Sequence, residues 1–163
     1  MNLEKLFHMQ KALDSHIEEK HQLQKEDLFD RKVLALLVEI GELANETRCF
    51  KFWSVKPSSE KDVILEEFVD GIHFILSLGI ECGFNQMPIE LEGIKSTSTV
   101  TEQFLAVYET ISLFQKNKEL DAYINVFKSY MQLAALLGLT KEEIEEAYFR
   151  KNEVNYQRQQ NNY

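Results

Sequence analysis

The chain has 163 residues, enough for one domain with a sizeable hydrophobic core. Its 44% apolar and 28% charged residues are typical of a water-soluble globular protein, and its 6 glycines and 2 prolines favour long helices over a many-stranded β fold. The formal net charge of -9 argues against binding to nucleic acid, although an acidic protein can still bind phosphates that metal ions bridge.

Signals for export, membrane insertion and redox chemistry are absent from the sequence. The segment MNLEKLFHMQ lacks the basic region and long apolar run of an export signal. No apolar stretch reaches membrane-spanning length. The two cysteines, Cys49 and Cys82, have neither metal-binding nor redox spacing. We therefore expect a cytoplasmic protein with reduced thiols and no membrane partner.

Apolar spacing near 3.6 residues predicts an all-α fold of about six helices in a single domain that spans residues 1–163. The first helix is expected over Leu3–Glu19 and the second over Asp27–Arg48. Ser59 with Asp62 has the pattern of a capping box, which predicts the start of the third helix just after the loop that follows helix two.

The other three helices have clear start or stop signals. We expect them over residues 99–115, 120–137 and 140–155. Two begin at capping-box patterns, Thr99 with Glu102 and Thr140 with Glu143. The middle one ends at Gly138, a residue type that favours a helix C-terminus.

Two acidic pairs lie on the second and third helices. Glu39 and Glu42 are spaced i, i+3, as are Glu67 and Asp70, so each pair points to one side of its helix. The third helix is apolar almost all round, which predicts that it is buried. Buried carboxylates are costly unless a cation joins them, and these helices offer few basic residues. Magnesium is the natural compensating charge.

A single acidic pair is more often a solvated edge, but two pairs on successive helices favour a metal site. Glu66 is i, i+4 from Asp70 and faces away from the apolar side of that pair. We interpret Glu66 as exposed, or as a support for the metal ligands.

Four segments resemble the dimeric all-α dUTPase family of the all-α nucleoside triphosphate pyrophosphatase superfamily. The acidic pattern Glu39-x-x-Glu42, followed after about 24 residues by Glu67-x-x-Asp70, is similar to the superfamily's metal-binding motif. The segments that resemble the dUTPases are MQKALD at 9–14, FKFW at 50–53, EEFVDGIHFILSLG at 66–79 and KNEVNYQRQ at 151–159. The resemblance covers nearly the whole chain, and the last segment is its most specific part.

The resemblance implies hydrolysis of dUTP to dUMP and pyrophosphate, with dUDP as a further substrate in many members, by a homodimer. It implies that Glu39, Glu42, Glu67 and Asp70 hold Mg²⁺. One of these carboxylates would activate the attacking water. Glu42 is our first candidate for that base and Glu39 the second, although any of the four fits the role.

The C-terminal segment supplies a candidate phosphate or sugar site. Lys151, Asn155 and Arg158 share one helical face at i, i+4 and i+7, so two cations and an amide can clamp a phosphate chain. The alternative is a solvated basic end that suits the dipole of the last helix.

The N-terminal segment is the candidate base site. Gln10 and Asp14 are spaced i, i+4, and the resemblance implies that this segment recognises uracil. Trp53 either stacks on the base or belongs to the core. His73, a lone histidine among apolar residues, is interpreted as a core histidine.

Two other functions remain open from the sequence. The chain could be a related pyrophosphatase for another nucleotide such as dCTP, or a helical dimerisation module without catalysis. Helices four and five carry large apolar residues that belong either to the core or to a dimer seam. These residues are Phe104, Leu105, Tyr108, Ile111, Phe114, Tyr123 and Phe127.

Overall fold

A computed structural model describes residues 1–91 and 99–161 of the chain. Within these ranges the chain forms six α-helices and no strand, which confirms the predicted all-α fold. The helices are α1 Leu3–Lys20, α2 Phe29–Thr47, α3 Lys61–Glu81, α4 Val100–Asn117, α5 Leu120–Leu136 and α6 Lys141–Gln160. A short 3-10 turn, Phe84–Gln86, follows α3.

Helix α3 is the centre of the bundle. It packs against α1, α2, α5 and α6, while α4 packs against α2 and α5. Apolar side chains on nearly every face of α3 are buried from Phe68 to Leu78, while its first turns keep exposed residues such as Val63 and Glu66. The prediction that α3 is a buried helix is therefore confirmed. Its carboxylates Glu67 and Asp70 lie close to neighbouring helices.

Two glycines of α3 let α5 approach closely. The hydroxyl of Tyr130 donates to the carbonyl of Phe68 over 2.9 Å. A Cβ atom at Gly71 would lie only 2.2 Å from that hydroxyl oxygen. Tyr123 meets Gly79 in the same way, at 2.4 Å. Each tyrosine therefore fits into a notch that only glycine can leave open.

The predicted capping box of the third helix is wrong. Glu60 is the N-cap of α3 and its side chain makes no capping hydrogen bond. The Ser59 hydroxyl donates instead to the carboxylate of Glu46, and the Ser59 N–H donates to the Glu46 carbonyl over 3.0 Å. These two bonds hold Ser59 against α2, one residue before the N-cap of α3, so its hydroxyl does not cap the helix.

The other helix ends agree more closely with the sequence. The capping boxes expected for α4 and α6 are both present. Helix α6 continues beyond the expected end at Asn155 to Gln160. No helix in the described ranges combines the length and hydropathy needed to cross a bilayer.

The large apolar side chains of α4 and α5 belong mostly to the core. Five of them are at most 4% exposed: Phe104, Ile111, Phe114, Tyr123 and Phe127. Of the two alternatives that the sequence left open, core or dimer seam, these five residues belong to the core. Leu105 differs, because 66% of it is exposed.

Candidate functional site

The two acidic pairs face each other because α2 and α3 run antiparallel. Near the start of α2, the Lys32 ammonium lies 2.6 Å from a carboxylate oxygen of Glu81 at the end of α3. At the other end, Glu46 of α2 bonds Ser59 just before α3 begins. The middle turns of both helices, which carry the acids, are therefore side by side.

Three of the four acids form a compact cluster. One carboxylate oxygen from each of Glu39, Glu67 and Asp70 lies within 4.8 Å of the others, and all three residues are partly buried. Glu42 is more exposed and lines the same groove between α2 and α3 as Glu67. Its charge nevertheless reaches the cluster, since it raises the pKa of both Glu39 and Glu67.

Burial and mutual repulsion make the cluster reluctant to ionise. Burial is the largest cause that raises the pKa of Glu39 to about 7, and the charges of Asp70, Glu42 and Glu67 add to it. Burial also raises the pKa of Glu67 and of Asp70. Such a group of hard oxygen donors with excess negative charge fits a divalent cation such as Mg²⁺.

A lysine from α6 reaches this cluster. The Lys151 ammonium lies 2.7 Å from an oxygen of Asp70 and 3.0 Å from an oxygen of Glu66, and the lysine side chain is only 11% exposed. Arg158 also helps to lower the pKa of Asp70 through its charge. The interpretation of Lys151 as part of a solvated helix end is therefore wrong. Asn155 lies on the same helix and is partly buried.

The predicted base-binding pair belongs to a buried hydrogen-bond network. The Gln10 amide nitrogen donates to Asp14 over 2.8 Å, and the Ser77 hydroxyl donates to the other oxygen of Asp14 over 2.6 Å. The Gln10 carbonyl oxygen lies 2.7 Å from Nδ1 of His73 and accepts from the Tyr148 hydroxyl over 2.8 Å. Both polar atoms of the Gln10 amide are thus engaged within the protein.

This network determines the protonation of His73. Because the Asp14 carboxylate accepts from the Gln10 nitrogen, the Gln10 oxygen must face His73, and Nδ1 of the histidine carries the proton. Burial, with a smaller effect of the Lys151 charge, lowers the pKa of His73 to about 3. Within the described chain, Nε2 of His73 is buried without a hydrogen-bond partner. The buried Asn152 amide lies beside the Tyr148 hydroxyl, and this contact helps to lower the pKa of Tyr148.

Trp53 lies outside the core. Its ring is 5.0 Å from that of Phe52 and 6.0 Å from that of Phe50, and the residue is 65% exposed. The interpretation of Trp53 as core is therefore wrong. No hydrogen bond or ring contact among residues 1–91 and 99–161 joins Trp53 to Gln10 or Asp14.

Sequence reasoning did not identify three members of the buried network: Ser77, Tyr148 and Asn152. A signal was present for Ser77, because Ser77 and His73 are polar residues spaced i, i+4 on an otherwise apolar helix. That spacing matches the i, i+4 spacing of Gln10 and Asp14 on the neighbouring α1. Tyr148 and Asn152 have the same i, i+4 spacing on α6, and Asn152 lies within the KNEVNYQRQ segment, but neither signal was used.

A comparison with protein families gives one match over nearly the whole chain. A family model described as dUTPase matches residues 2–163. No curated protein is significantly similar to the chain.

Proposed function

The chain belongs to the all-α dUTPase family, and we propose that it hydrolyses dUTP at the acidic cluster between α2 and α3. The predicted family and dUTP diphosphatase activity are confirmed by the match over residues 2–163. This activity rules against the alternative of a helical module without catalysis. Within this enzyme class, the proposal concerns which residues perform each part of the reaction.

The metal ligands we assign are Glu39, Glu67 and Asp70, with Glu42 beside them. The observation that carries this assignment is the approach of three carboxylate oxygens to within 4.8 Å. A divalent cation held there supplies positive charge that offsets the charge of the phosphates. We propose Mg²⁺, which binds carboxylate oxygens and shares its remaining positions with water and phosphate.

Glu42 is the residue we assign as general base. It lies outside the group of three close oxygens but lines the same groove. Its carboxylate is therefore available to accept a proton from water while its neighbours bind metal. The expected products are dUMP and pyrophosphate, and we propose dUDP as a second substrate.

The phosphate chain is assigned to α6. Lys151 and Arg158 supply positive charge beside the cluster, and Asn155 supplies an amide on the same helical face. These three side chains would bind and orient the phosphates while the carboxylates act on the water. The role of each of them is a proposal that the closeness of Lys151 to Asp70 supports.

Recognition of uracil is assigned to the N-terminal segment and its network. Gln10 and Asp14 hold His73 so that its unprotonated Nε2 is an acceptor, and the Nδ2 of Asn152 is a donor. Uracil offers an N3–H donor flanked by carbonyl oxygens, whereas N3 of cytosine is an acceptor. An acceptor beside a donor matches N3–H and a carbonyl oxygen of uracil, and we propose uracil as the base that the family match supports, with Trp53 as the candidate for stacking on it.

A homodimer is the assembly we propose. Leu34 and Val38 on α2 and Leu105 on α4 are 63%, 50% and 66% exposed. The Tyr108 hydroxyl of α4 donates to the Leu37 carbonyl of α2 over 3.1 Å, so the two helices form one face. Val38 also lines the groove of the acidic cluster, which would place the second subunit beside the site.

A panel of dUTP, dUDP, dCTP, dTTP and UTP, each with Mg²⁺ or with a chelator, tests the proposed function. We expect release of dUMP and pyrophosphate from dUTP only with Mg²⁺, and little turnover of dCTP. Equal turnover of dCTP would contradict the assignment of the base site. Unchanged turnover of dUTP in chelator would contradict the assignment of the metal.

A further inference from the structure

The ammonium of Lys151 occupies a position that a metal ion would compete for. It lies 2.7 Å from Asp70, whose neighbours Glu39 and Glu67 complete the close cluster of oxygens. The charge of Lys151 also lowers the pKa of both glutamates. The lysine is thus the counter-ion of the whole cluster, not of a single carboxylate.

A divalent cation and this ammonium would compete for the negative charge of Asp70. Mg²⁺ binds carboxylate oxygens at about 2.1 Å. Added to the 2.7 Å between Nζ and the Asp70 oxygen, this distance would place two cations within about 5 Å of each other on one side chain. Their repulsion favours departure of the ammonium, because a lysine on a four-carbon stem moves more easily than a buried helix.

We propose that Lys151 acts as an internal place-holder for the metal: it binds Asp70 when the cation is absent and is released to the phosphate chain when the cation binds. This inference rests on the proposed metal site and adds an order of events to it. Metal binding removes the lysine from its carboxylate partner and so makes it available to the nucleotide.

Glu66 gives the released lysine a second anchor. Its carboxylate is 62% exposed and lies 3.0 Å from the ammonium, outside the close cluster. Lys151 can therefore leave Asp70 and still keep one ion pair at the rim of the site. Glu66 thus has an ion-pair partner although it lies outside the close cluster of oxygens.

Titration of Mg²⁺ alone, without nucleotide, tests the inference by calorimetry on the wild type and on Lys151→Met. We expect the variant to bind Mg²⁺ about 5- to 150-fold more tightly, the range typical of coupled sites, because the competing cation is gone. Lys151→Gln is a second variant in case the methionine disturbs folding, and helical circular dichroism checks both proteins.

Lys61→Met is the matched control. Lys61 also bridges α3 and α6, through a 2.6 Å contact with Glu143, but it is not among the charges that shift the pKa of the cluster. Its loss should leave the affinity for Mg²⁺ within about twofold of the wild type, the scale of an exposed ion pair.

A second readout follows the lysine itself. In protein labelled with ¹⁵N-lysine, the Nζ signal that disappears in Lys151→Met should be visible without metal and should shift or broaden as Mg²⁺ is added. Equal affinity in wild type and variant, with an unchanged Nζ signal, would overturn the place-holder inference and leave the metal site standing. Absence of Mg²⁺ binding in both proteins would overturn the metal site as well.

Discussion

At Glu39, burial and charge act in the same direction. The carboxylate is partly removed from water and faces three other acids, so its pKa rises to about 7. A group of this kind is unfavourable in the protein without metal and favourable once a cation joins it. The cluster therefore lowers the stability of the metal-free protein, and a bound cation would offset that loss.

The first prediction concerns the base. Glu42→Gln should keep the fold but lower kcat for dUTP by about 10² to 10⁴, the range for loss of a general base. Steady-state kinetics with saturating Mg²⁺ measures this change. Glu146→Gln, an exposed acid of α6, is the control and should retain wild-type turnover. Full activity of Glu42→Gln would exclude it as the base.

The second prediction concerns pH. The folded state keeps a proton on Glu39 up to about pH 7, whereas the unfolded chain releases it near the ordinary value of 4.5. The folded protein therefore binds more protons at Glu39 in this interval, so the contribution of Glu39 to stability without metal falls as pH rises from about 4.5 to 7. The buried His73, whose pKa is lowered, contributes in the opposite direction and is common to the wild type and Glu39→Gln.

Glu39→Gln should remove the Glu39 contribution to the pH dependence. In chelator at pH 8, the variant should be more stable than the wild type by about 1–2 kcal/mol, a figure reduced for solvent screening of a half-exposed group. Urea unfolding at pH 5 and pH 8 measures the difference. An identical pH profile for the two proteins would show that the cluster does not hold Glu39 protonated.

Single residues also show where sequence reasoning stops. The i, i+3 spacing of the acids was sufficient to place each pair on one side of its own helix. The packing of α2 on α3, which the spacing does not contain, brings three of the acids within 4.8 Å. The spacing of Gln10 and Asp14 was correctly read as one helical face, but it could not reveal that Tyr148 would occupy the Gln10 oxygen. That contact joins residues 138 positions apart, which only the packing of α6 on α1 brings together.

At the scale of elements, α3 is the platform on which the site is built. It carries Glu67 and Asp70 on one side and His73 and Ser77 on another, and it receives α5 in its glycine notches. The acidic cluster and the buried network are thus attached to the same rigid helix. Movement of α3 would disturb both at once.

The third prediction concerns one of these notches. Gly71→Ala should destabilise the protein by about 2–3 kcal/mol, because the new Cβ would lie 2.2 Å from the Tyr130 hydroxyl oxygen. That tyrosine is held by its bond to Phe68 and cannot easily withdraw. Thermal and urea unfolding of the purified variant measure the loss.

Gly41→Ala is the matched control for this prediction. Gly41 also lies in a helix and faces a tyrosine hydroxyl, but its Cβ would be 3.4 Å from Tyr108, an ordinary contact. Alanine is favoured over glycine within helices by about 1 kcal/mol, so this variant should be neutral or slightly stabilised. Similar losses in both variants would contradict the role assigned to the notch.

Helix positions were predictable from apolar spacing, whereas one helix start was not. The pattern Ser59-x-x-Asp62 satisfies the rule for a capping box, yet Ser59 bonds Glu46 on the preceding helix. A capping rule considers only residues near in sequence. The close return of the loop to α2 supplied a better partner that such a rule does not include.

At the scale of the whole molecule, the feature that bears on assembly is the exposed apolar face formed by Leu34 and Val38 of α2 and Leu105 of α4. Leu105 lies between two residues of α4 that bond the α2 region. The Thr101 hydroxyl donates to the carbonyl of Cys49, just after α2, and the Tyr108 hydroxyl donates to the carbonyl of Leu37. Leu105 therefore lies beside α2. An apolar surface of this kind beside the acidic groove is where a second copy would have the greatest effect on activity.

The fourth prediction tests this assembly. Leu105→Lys should shift the protein from dimer to monomer in light scattering after gel filtration, because a buried lysine is costly at an interface. Leu113→Lys is the control on the same helix. Leu113 is 50% exposed but lines a groove with α5, so its variant should stay dimeric. A monomeric wild type would refute the proposed dimer.

The family could be predicted from the sequence because the acidic pairs and the C-terminal run are local patterns. Which apolar residues of α4 are exposed could not be predicted, because Leu105 and Phe104 are neighbours of the same chemical class. Only the packing of α4 buries one of them and leaves the other 66% exposed.

The exposed position of Trp53 has a spectroscopic consequence. It is the only tryptophan in the chain and is 65% exposed in the folded protein. Its fluorescence should already emit at a long wavelength characteristic of a hydrated indole, so unfolding changes the emission little. A ligand or a second subunit that covers the ring would shift the emission to the blue. The intrinsic fluorescence of this protein is therefore a reporter of occupancy at the loop, while the buried tyrosines report on folding.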